Sequence, residues 1–379
     1  MARLCIVLTV PFTLNAFVRP HLDYLLRMFE ITVCVNMRNG KIPSFVPQEV
    51  RLKQLDIERR ISPWADLIAA YQLQHILRAG QFDIVLSMTP KGGMIGMGCA
   101  LLCGVSTRIH CFTGQVWATR TGFVRVLLRA IDRAIAFCAT RLLADSQSQR
   151  DFLIENGVVR AEKIRVLANG SMAGVDVDRF RPDPIVRSKV RTELGLEDES
   201  VCILYVGRLN GEKGVPELVA AFAGLAASHQ QLHLLLVGPE EEPVPSVPKY
   251  ESRIHRVGYT TEVERYMAGA DIFCLPSHRE GFGQVLIEAG AVGLPVVASR
   301  IYGITDAVVD GVTGLLHEPR EVGALVQSLA VLIQNPPLRA RLGEAGRQRA
   351  QEEFGTERVS LALSEFLQRE LERKSKGTA

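Results

Sequence analysis

Short, unbroken apolar runs alternate with stretches of helical periodicity along most of the chain. Residues 4–10 form one such run, and 31–35, 82–87, 107–112, 142–144 and 164–167 repeat it at strand length. The intervening pattern predicts helices over 18–29, from Ser62-Pro63 to about Ala79, and over 93–103, 122–139 and 148–156. Ser62 stands where an N-cap belongs, and Pro63 takes the first helical position. Strands without polar alternation are buried on both faces, which implies a parallel sheet covered by helices on each side.

From Asn169 to about Arg191 the chain turns rich in Gly, Asp, Pro and charge, as a linker would. The pattern then restarts, with strands at 202–206, 232–237, 254–257, 271–275 and 295–298. Helices are expected near 215–227, 263–268, 284–291, 322–333, 338–350 and 356–373, followed by a frayed tail. This is an α/β chain of two tandem Rossmann-like, doubly wound domains, residues 1–177 and 178–352. Residues 353–379 are expected as a C-terminal helix and tail packing back toward the N-terminal domain.

Composition narrows the class. The 379 residues are 47% apolar and 22% charged, ordinary globular usage that excludes extensive disorder. Eight cysteines with no Cys-x-x-Cys pair predict free thiols, and Cys99 and Cys103 share one face of an apolar helix. No basic, cleavable leader precedes the first strand, so a cytoplasmic protein is expected. The longest apolar run, 94–105, falls short of the roughly 20 residues that span a bilayer. Residues 1–170 hold 21 Lys and Arg against 12 Asp and Glu, a balance of +9; the remainder carries −6, giving the net +3. A basic front half and an acidic rear half suggest different partners.

Two segments carry candidate chemistry. Residues 271–299 read strand, loop, helix, loop, strand, with Glu280-Gly281-Phe282-Gly283 in the first loop and the helix starting at Gln284. Glycines before a helix N-terminus leave backbone amides to face a ligand. Glu288 lies one turn into that helix, so both carboxylates border the crevice where open α/β sheets bind ligands. Carboxylates accept from hydroxyls, so a sugar or ribose suits the site, although either Glu alone would pass for a surface charge. The second segment, Gly207-Arg208-Leu209-Asn210-Gly211-Glu212-Lys213-Gly214, follows the first strand of the second domain. Two cations beside a helix start suit a diphosphate; taken alone, the segment also fits a basic surface loop.

Taken together, strand–GRxxxxKG and then EGFGxxxxE about 70 residues later resemble the retaining glycosyltransferases of family four, of the GT-B fold and the capsule and O-antigen type. The resemblance spans nearly the whole chain, including Val166–Gly170 through Phe180 and Asp310–Leu316. It implies two Rossmann-like domains with a cleft between them, and a nucleotide-sugar as co-substrate with no metal or other cofactor. Arg208 and Lys213 would stabilise the leaving diphosphate, Glu288 would accept from the ribose, and Glu280 with the amides from Gly281 to Gln284 would hold the sugar. Arg208, Lys213 and Glu280 are the catalytic candidates. Gly207, Tyr259, Gly281, Phe282, Gly283, Gln284 and Glu288 complete the donor site. Asp176-Val177-Asp178 matches a manganese-binding D-x-D, but it sits in the linker and reads as turn structure.

The sequence departs from the family in the first domain. Where many members carry His-Gly, this chain has Thr113-Gly114, and His110, three residues earlier on the strand, points to the other face. A His general base is therefore not expected there. The usual Gly-Gly after the first strand is also missing from Pro11–Phe17; that segment is either an ordinary turn or an acceptor contact through Asn15. Thr113, Gln115 and Asn15 are the acceptor-side candidates. Arg125, Arg129 and Arg133 recur every fourth residue on a helix otherwise filled by apolar residues. They are expected to lie against an anionic membrane surface at the inner face of the cytoplasmic membrane.

The resulting expectation is transfer of a hexose-type sugar, N-acetylated, from UDP to a polyprenyl-diphosphate-linked saccharide. The alternatives are a nucleotide-sugar epimerase of the same fold and a non-catalytic nucleotide-sugar-binding subunit. No G-x-G-x-x-G follows the first strand, which disfavours a dinucleotide dehydrogenase, and nothing points to nucleic acid.

Overall fold

The computed structural model describes residues 1–37, 45–58 and 62–376. They form two compact units, Met1–Gly174 with Thr356–Ala379, and Val175–Gly355.

The first unit begins with β1 (Ala2–Val7). The helix expected over 18–29 is instead a chain of short turns: α1 (Pro11–Thr13), a π turn over Leu14–Val18, a 3-10 turn over Arg19–His21, and α2 (Leu22–Leu25). Pro20 has no amide hydrogen to continue a ladder, and Phe29 already belongs to β2 (Phe29–Val35). Next come β3 (Arg51–Gln54), α3 (Pro63–Gly80), β4 (Ile84–Met88), α4 (Pro90–Leu102) and β5 (Thr107–Phe112). The unit continues with α5 (Gly122–Cys138), β6 (Arg141–Ala144), α6 (Gln147–Glu155) and β7 (Ile164–Val166). Ser62 takes the N-cap position of α3, but its side chain makes no capping bond.

All strands of this sheet run parallel, in the order β3-β2-β1-β4-β5-β6-β7. The two-residue period of β1 divides its side chains between two cores. Cys5 and Val7 pack on one face of the sheet, Leu4 and Ile6 on the other. Burial on both faces explains why residues 4–8 are all apolar. The eight cysteines are free; Cys99 on α4 donates to the Ala70 carbonyl at 3.5 Å.

The second unit holds a helix inside the expected linker, α7 (Pro184–Glu193), started by Asp183, whose Oδ1 accepts from the Ile185 and Val186 amides at 3.0 and 2.9 Å. It continues with β8 (Val201–Val206), α8 (Val215–Ala226), β9 (Leu232–Val237), β10 (Ile254–Val257), α9 (Val263–Gly269) and β11 (Ile272–Leu275). It ends with α10 (Gln284–Ala291), β12 (Val296–Ser299), α11 (Ile304–Ala307), β13 (Gly314–His317), α12 (Val322–Gln334) and α13 (Pro336–Phe354). The strand order is β10-β9-β8-β11-β12-β13, again parallel. The last helix, α14 (Thr356–Lys376), belongs to the first unit, where Leu363 and Leu367 join Leu14 and Leu22 in one core.

In both sheets the strand order reverses once, between β1 and β4 and between β8 and β11. Crossovers that leave in opposite directions open a crevice beyond the carboxyl ends of those strands. Those crevices place the candidate residues.

Candidate functional site

The loop after β8 and the loop after β11 lie side by side at the reversal point of the second sheet. Gly214 shows how closely they pack. It adopts φ 72°, and a Cβ there would lie 2.0 Å from the Pro276 carbonyl oxygen. Only glycine fits both the left-handed backbone and the contact.

Side chains bridge the two loops. Lys213 Nζ donates to Glu280 Oε1 at 2.5 Å. The Arg279 guanidinium grips Glu212 with two bonds, 3.0 and 2.7 Å, a fork geometry that fixes both position and orientation. Burial by itself would raise the Glu212 pKa, but Arg279 outweighs it and holds the carboxyl below its ordinary range. The His278 amide donates to the Glu212 carbonyl at 3.0 Å, and its ring shares a 2.8 Å hydrogen bond with Glu217 at the start of α8.

Arg208 is placed from below and from the side. The buried Tyr205 hydroxyl donates to the Arg208 carbonyl at 2.8 Å, and Arg208 Nη1 donates to Glu241 Oε2 at 2.8 Å. The same carboxylate oxygen accepts from Asn210 Nδ2 at 2.9 Å, while Asn210 Oδ1 caps the turn by accepting from the Lys213 amide at 3.0 Å. Glu242 Oε2 accepts from the Gly211 amide at 2.7 Å. Both candidate cations therefore rest on carboxylates at the carboxyl edge of the sheet.

Glu288 is partly buried one turn into α10, with Gln284 Nε2 3.4 Å from its Oε1. Burial pushes its pKa up to about 7, against the pull of Gln284 and of Arg179. Gly283, φ 80°, turns the chain into α10. Phe282 contributes its backbone only: its side chain is buried in the core and packs edge-on against Phe354, because the loop must bury an apolar anchor to stay in place. Tyr259 is exposed in the loop after β10. The structure thus gathers Gly207, Arg208, Lys213, Glu280 through Gln284 and Glu288 in the second unit. Asn210, Glu212, Glu241 and Arg279 were missed. The signal for Glu241 is the run Glu240-Glu241-Glu242 just past the strand ending at Val237, since that strand neighbours β8 and delivers its loop to the same edge.

Asp176 serves its turn: its Oδ1 accepts from the Asp178 and Arg179 amides at 3.2 and 3.1 Å. Among the described residues no group of three or more His, Cys, Asp or Glu is placed to hold a metal ion.

The acceptor-side candidates lie at the carboxyl edge of the first sheet. Thr113 is partly buried after β5, and Gln115 is buried, accepting from Gln149 Nε2 at 3.3 Å. Asn15 Oδ1 accepts from Arg19 at 3.3 Å within the π turn. His110 is buried inside the sheet, sharing a 2.8 Å hydrogen bond with Ser87, and burial pulls its pKa down to about 3. Trp117 anchors the loop after β5 to α5, its indole donating to Asp132 Oδ2 at 2.7 Å. Burial raises Asp132 to about 6, opposed by that bond.

The arginine row of α5 faces outward only at Arg133, which is exposed. Arg125 lies partly buried beside the Trp117 ring, Arg129 is partly buried, and Arg133 donates to the Gly157 carbonyl at 2.8 Å. Phe123, Val126, Leu127 and Phe137 point to solvent instead. The inward face is made of Asp132, Ile135 and Ala136 with Leu128, Ile131 and Cys138 partly buried beside them, and the remaining apolar residues lie on the opposite side.

The bidentate brace makes an expectation. Arg279→Ala should raise the donor KM about tenfold or more, the worth of a charged hydrogen bond. Reversing both charges, Glu212→Arg with Arg279→Glu, should recover part of the loss in steady-state assays.

Two family models match the sequence: "Glycosyl transferases group 1" over residues 186–349 and "Glycosyl transferase 4-like domain" over residues 26–170. The capsular polysaccharide biosynthesis glycosyltransferase CapM of Staphylococcus aureus is 29% identical over 310 residues, covering 80% of this chain and 81% of that protein. Among solved structures, HepE of Anabaena in complex with UDP and glucose superposes with a TM-score of 0.79 at 19% identity, covering 97% of this chain and 99% of its own. WaaG, a glycosyltransferase involved in lipopolysaccharide biosynthesis, superposes with a TM-score of 0.74 at 19% identity, with the same coverage.

Proposed function

The chain belongs to the group 1 glycosyltransferases, retaining GT-B enzymes that use nucleotide-sugar donors, and from that premise we propose that it transfers a hexose-type sugar, N-acetylated, from UDP to a polyprenyl-diphosphate-linked saccharide in surface-polysaccharide synthesis. One observation carries the donor reading: Arg208 and Lys213, both resting on carboxylates, stand at the strand-order reversal of the second sheet. A donor diphosphate would take the place of Glu241 on Arg208 and of Glu280 on Lys213, freeing Glu280 to accept from the sugar hydroxyls. HepE, which holds UDP, supports the nucleotide, and CapM supports the polysaccharide context.

The proposed chemistry is front-face transfer. The bond from the anomeric carbon to the diphosphate oxygen breaks as the acceptor oxygen bonds to that carbon on the same face. The acceptor proton passes to the departing diphosphate oxygen, whose charge Arg208 and Lys213 stabilise. Thr113, Gln115 and Asn15 serve the acceptor side.

A thermal-shift screen against UDP-, GDP- and ADP-sugars tests the donor class. At a ligand concentration 100 times Kd the matching donor should add about 2.7 kcal/mol of stability, and a UDP-sugar should shift the midpoint most. A larger shift with a GDP- or ADP-sugar would overturn the UDP assignment.

A further inference from the structure

Helices α3, α4 and α5 cover one face of the first unit's sheet, α4 packing against both others. Their large apolar side chains do not all turn inward. On α3, Trp64, Leu67, Ile68 and Tyr71 are exposed, Trp64 by 80% and Tyr71 by 76%, at a spacing that makes one outward face opposite the buried Ala69, Leu73 and Leu77. On α5, Phe123 is 78% exposed, and Val126 and Leu127 lie beside it on the first two turns. Met94, in the first turn of α4, is exposed between them.

Crossover helices run antiparallel to the parallel strands they connect, so the first turns of all three stand at the carboxyl edge of the sheet. The loops bearing Asn15, Thr113 and Gln115 emerge at that same edge. Large apolar side chains exposed together on three neighbouring helices at one edge of a sheet mark an interaction site.

We propose that this apolar edge seats the protein on the anionic leaflet of a lipid bilayer, with the first two turns of α3 entering the interface beside those of α5. The inference rests on the lipid-linked acceptor reading, and it replaces the arginine row with an apolar edge as the inserting surface. Charge selects the occupant. Arg120, just before α5, and Arg133 on it are exposed, with Arg129 half-buried, and the one acid of α5, Asp132, is buried under Trp117. On α3, Asp66 is neutralised by Lys91 at 2.7 Å. Among the described residues, the charge left beside the α5 end of this edge is positive, which matches anionic headgroups. Trp64 and Tyr71 add rings with a polar end, the type that settles between headgroups and acyl chains. No described helix is long and apolar enough to cross the membrane, so contact is at the surface.

The test is flotation of the full chain with phosphatidylcholine vesicles, with and without phosphatidylglycerol. The wild type should float with the anionic vesicles and release as salt rises; Trp64→Ser/Tyr71→Ser/Phe123→Ser should bind about tenfold less. Its transfer to a short, water-soluble acceptor should be unchanged. Quenching by brominated lipid provides a readout on the unmodified chain, because Trp64 is exposed while Trp117 is buried. Absence of wild-type flotation, unquenched Trp64, or a dimer that the triple substitution dissolves would each overturn the proposal. Flotation of a chain that transfers sugar only to lipid-free acceptors would instead refute the acceptor reading and leave the membrane contact standing.

Discussion

Arg208→Ala and Lys213→Ala are each expected to lower turnover by about 10²–10³, the range lost when a fixed donor to a developing negative charge is removed. The geometry says why neither loss is trivial. Arg208 is held at both ends, by the Tyr205 hydroxyl on its carbonyl and by Glu241 on its guanidinium, so its backbone is already placed and the donor has only to exchange one anionic partner for another. Lys213 is mostly buried and sits 2.5 Å from Glu280. Removing it also leaves that carboxylate without its counter-charge. The two effects separate in a double-mutant cycle with Glu280→Gln, where a double loss well below the sum of the single losses shows that the pair acts as a unit. Kinetics at saturating donor and acceptor decide the role. If the two cations serve the transition state, kcat falls together with kcat/KM; a rise in donor KM alone would reduce them to ground-state anchors. Undiminished turnover in both variants would remove them from the mechanism.

That these two residues were legible in the sequence, and their partners were not, has a physical basis. Arg208 and Lys213 lie within one short loop beside glycines and a strand end, a local pattern. Glu241 is 33 residues from Arg208, and Arg279 is 67 from Glu212, so those pairings exist only once β9 and β11 lie on either side of β8. The strands show the same division. β4 and β8 are apolar but for Ser87 because both faces are covered, and they announce themselves. β3, Arg-Leu-Lys-Gln, is an edge strand with half-exposed positions and reads as a loop until β2 pairs with it. α7 was hidden by its charge, although Asp183-Pro184 carried a full start signal. For α5 the helical period was plain, but apolar residues lie on both sides of it. Periodicity alone does not say which side faces out; the packing of Asp132, Ile135 and Ala136 decides.

Glu288 gives the second large effect, in the dependence of donor affinity on pH. Ribose hydroxyls donate, and an ionised carboxylate is the better acceptor, so donor binding and loss of the Glu288 proton should be linked. With its pKa at about 7, the group passes from mostly protonated at pH 6 to mostly ionised at pH 8. Affinity for a UDP-sugar should therefore rise about tenfold over that interval, as the ionised fraction does. A UDP-sugar is the right probe, since its esterified diphosphate does not titrate there as free UDP does. Glu288→Gln should bind more weakly at pH 8 and show no such slope, whereas a parallel slope in both proteins would sever the link. Without ligand the sign reverses. The folded state keeps the Glu288 proton to a higher pH than the unfolded chain, whose carboxyl titrates near 4.5. Its contribution to stability is complete below that value and is lost as pH rises through about 7. Glu288→Gln, which has nothing to ionise, should melt progressively higher than the wild type from pH 5 to about 7.5, with the gap constant above. The residue that weakens the empty protein at neutral pH is then the one that the donor rewards.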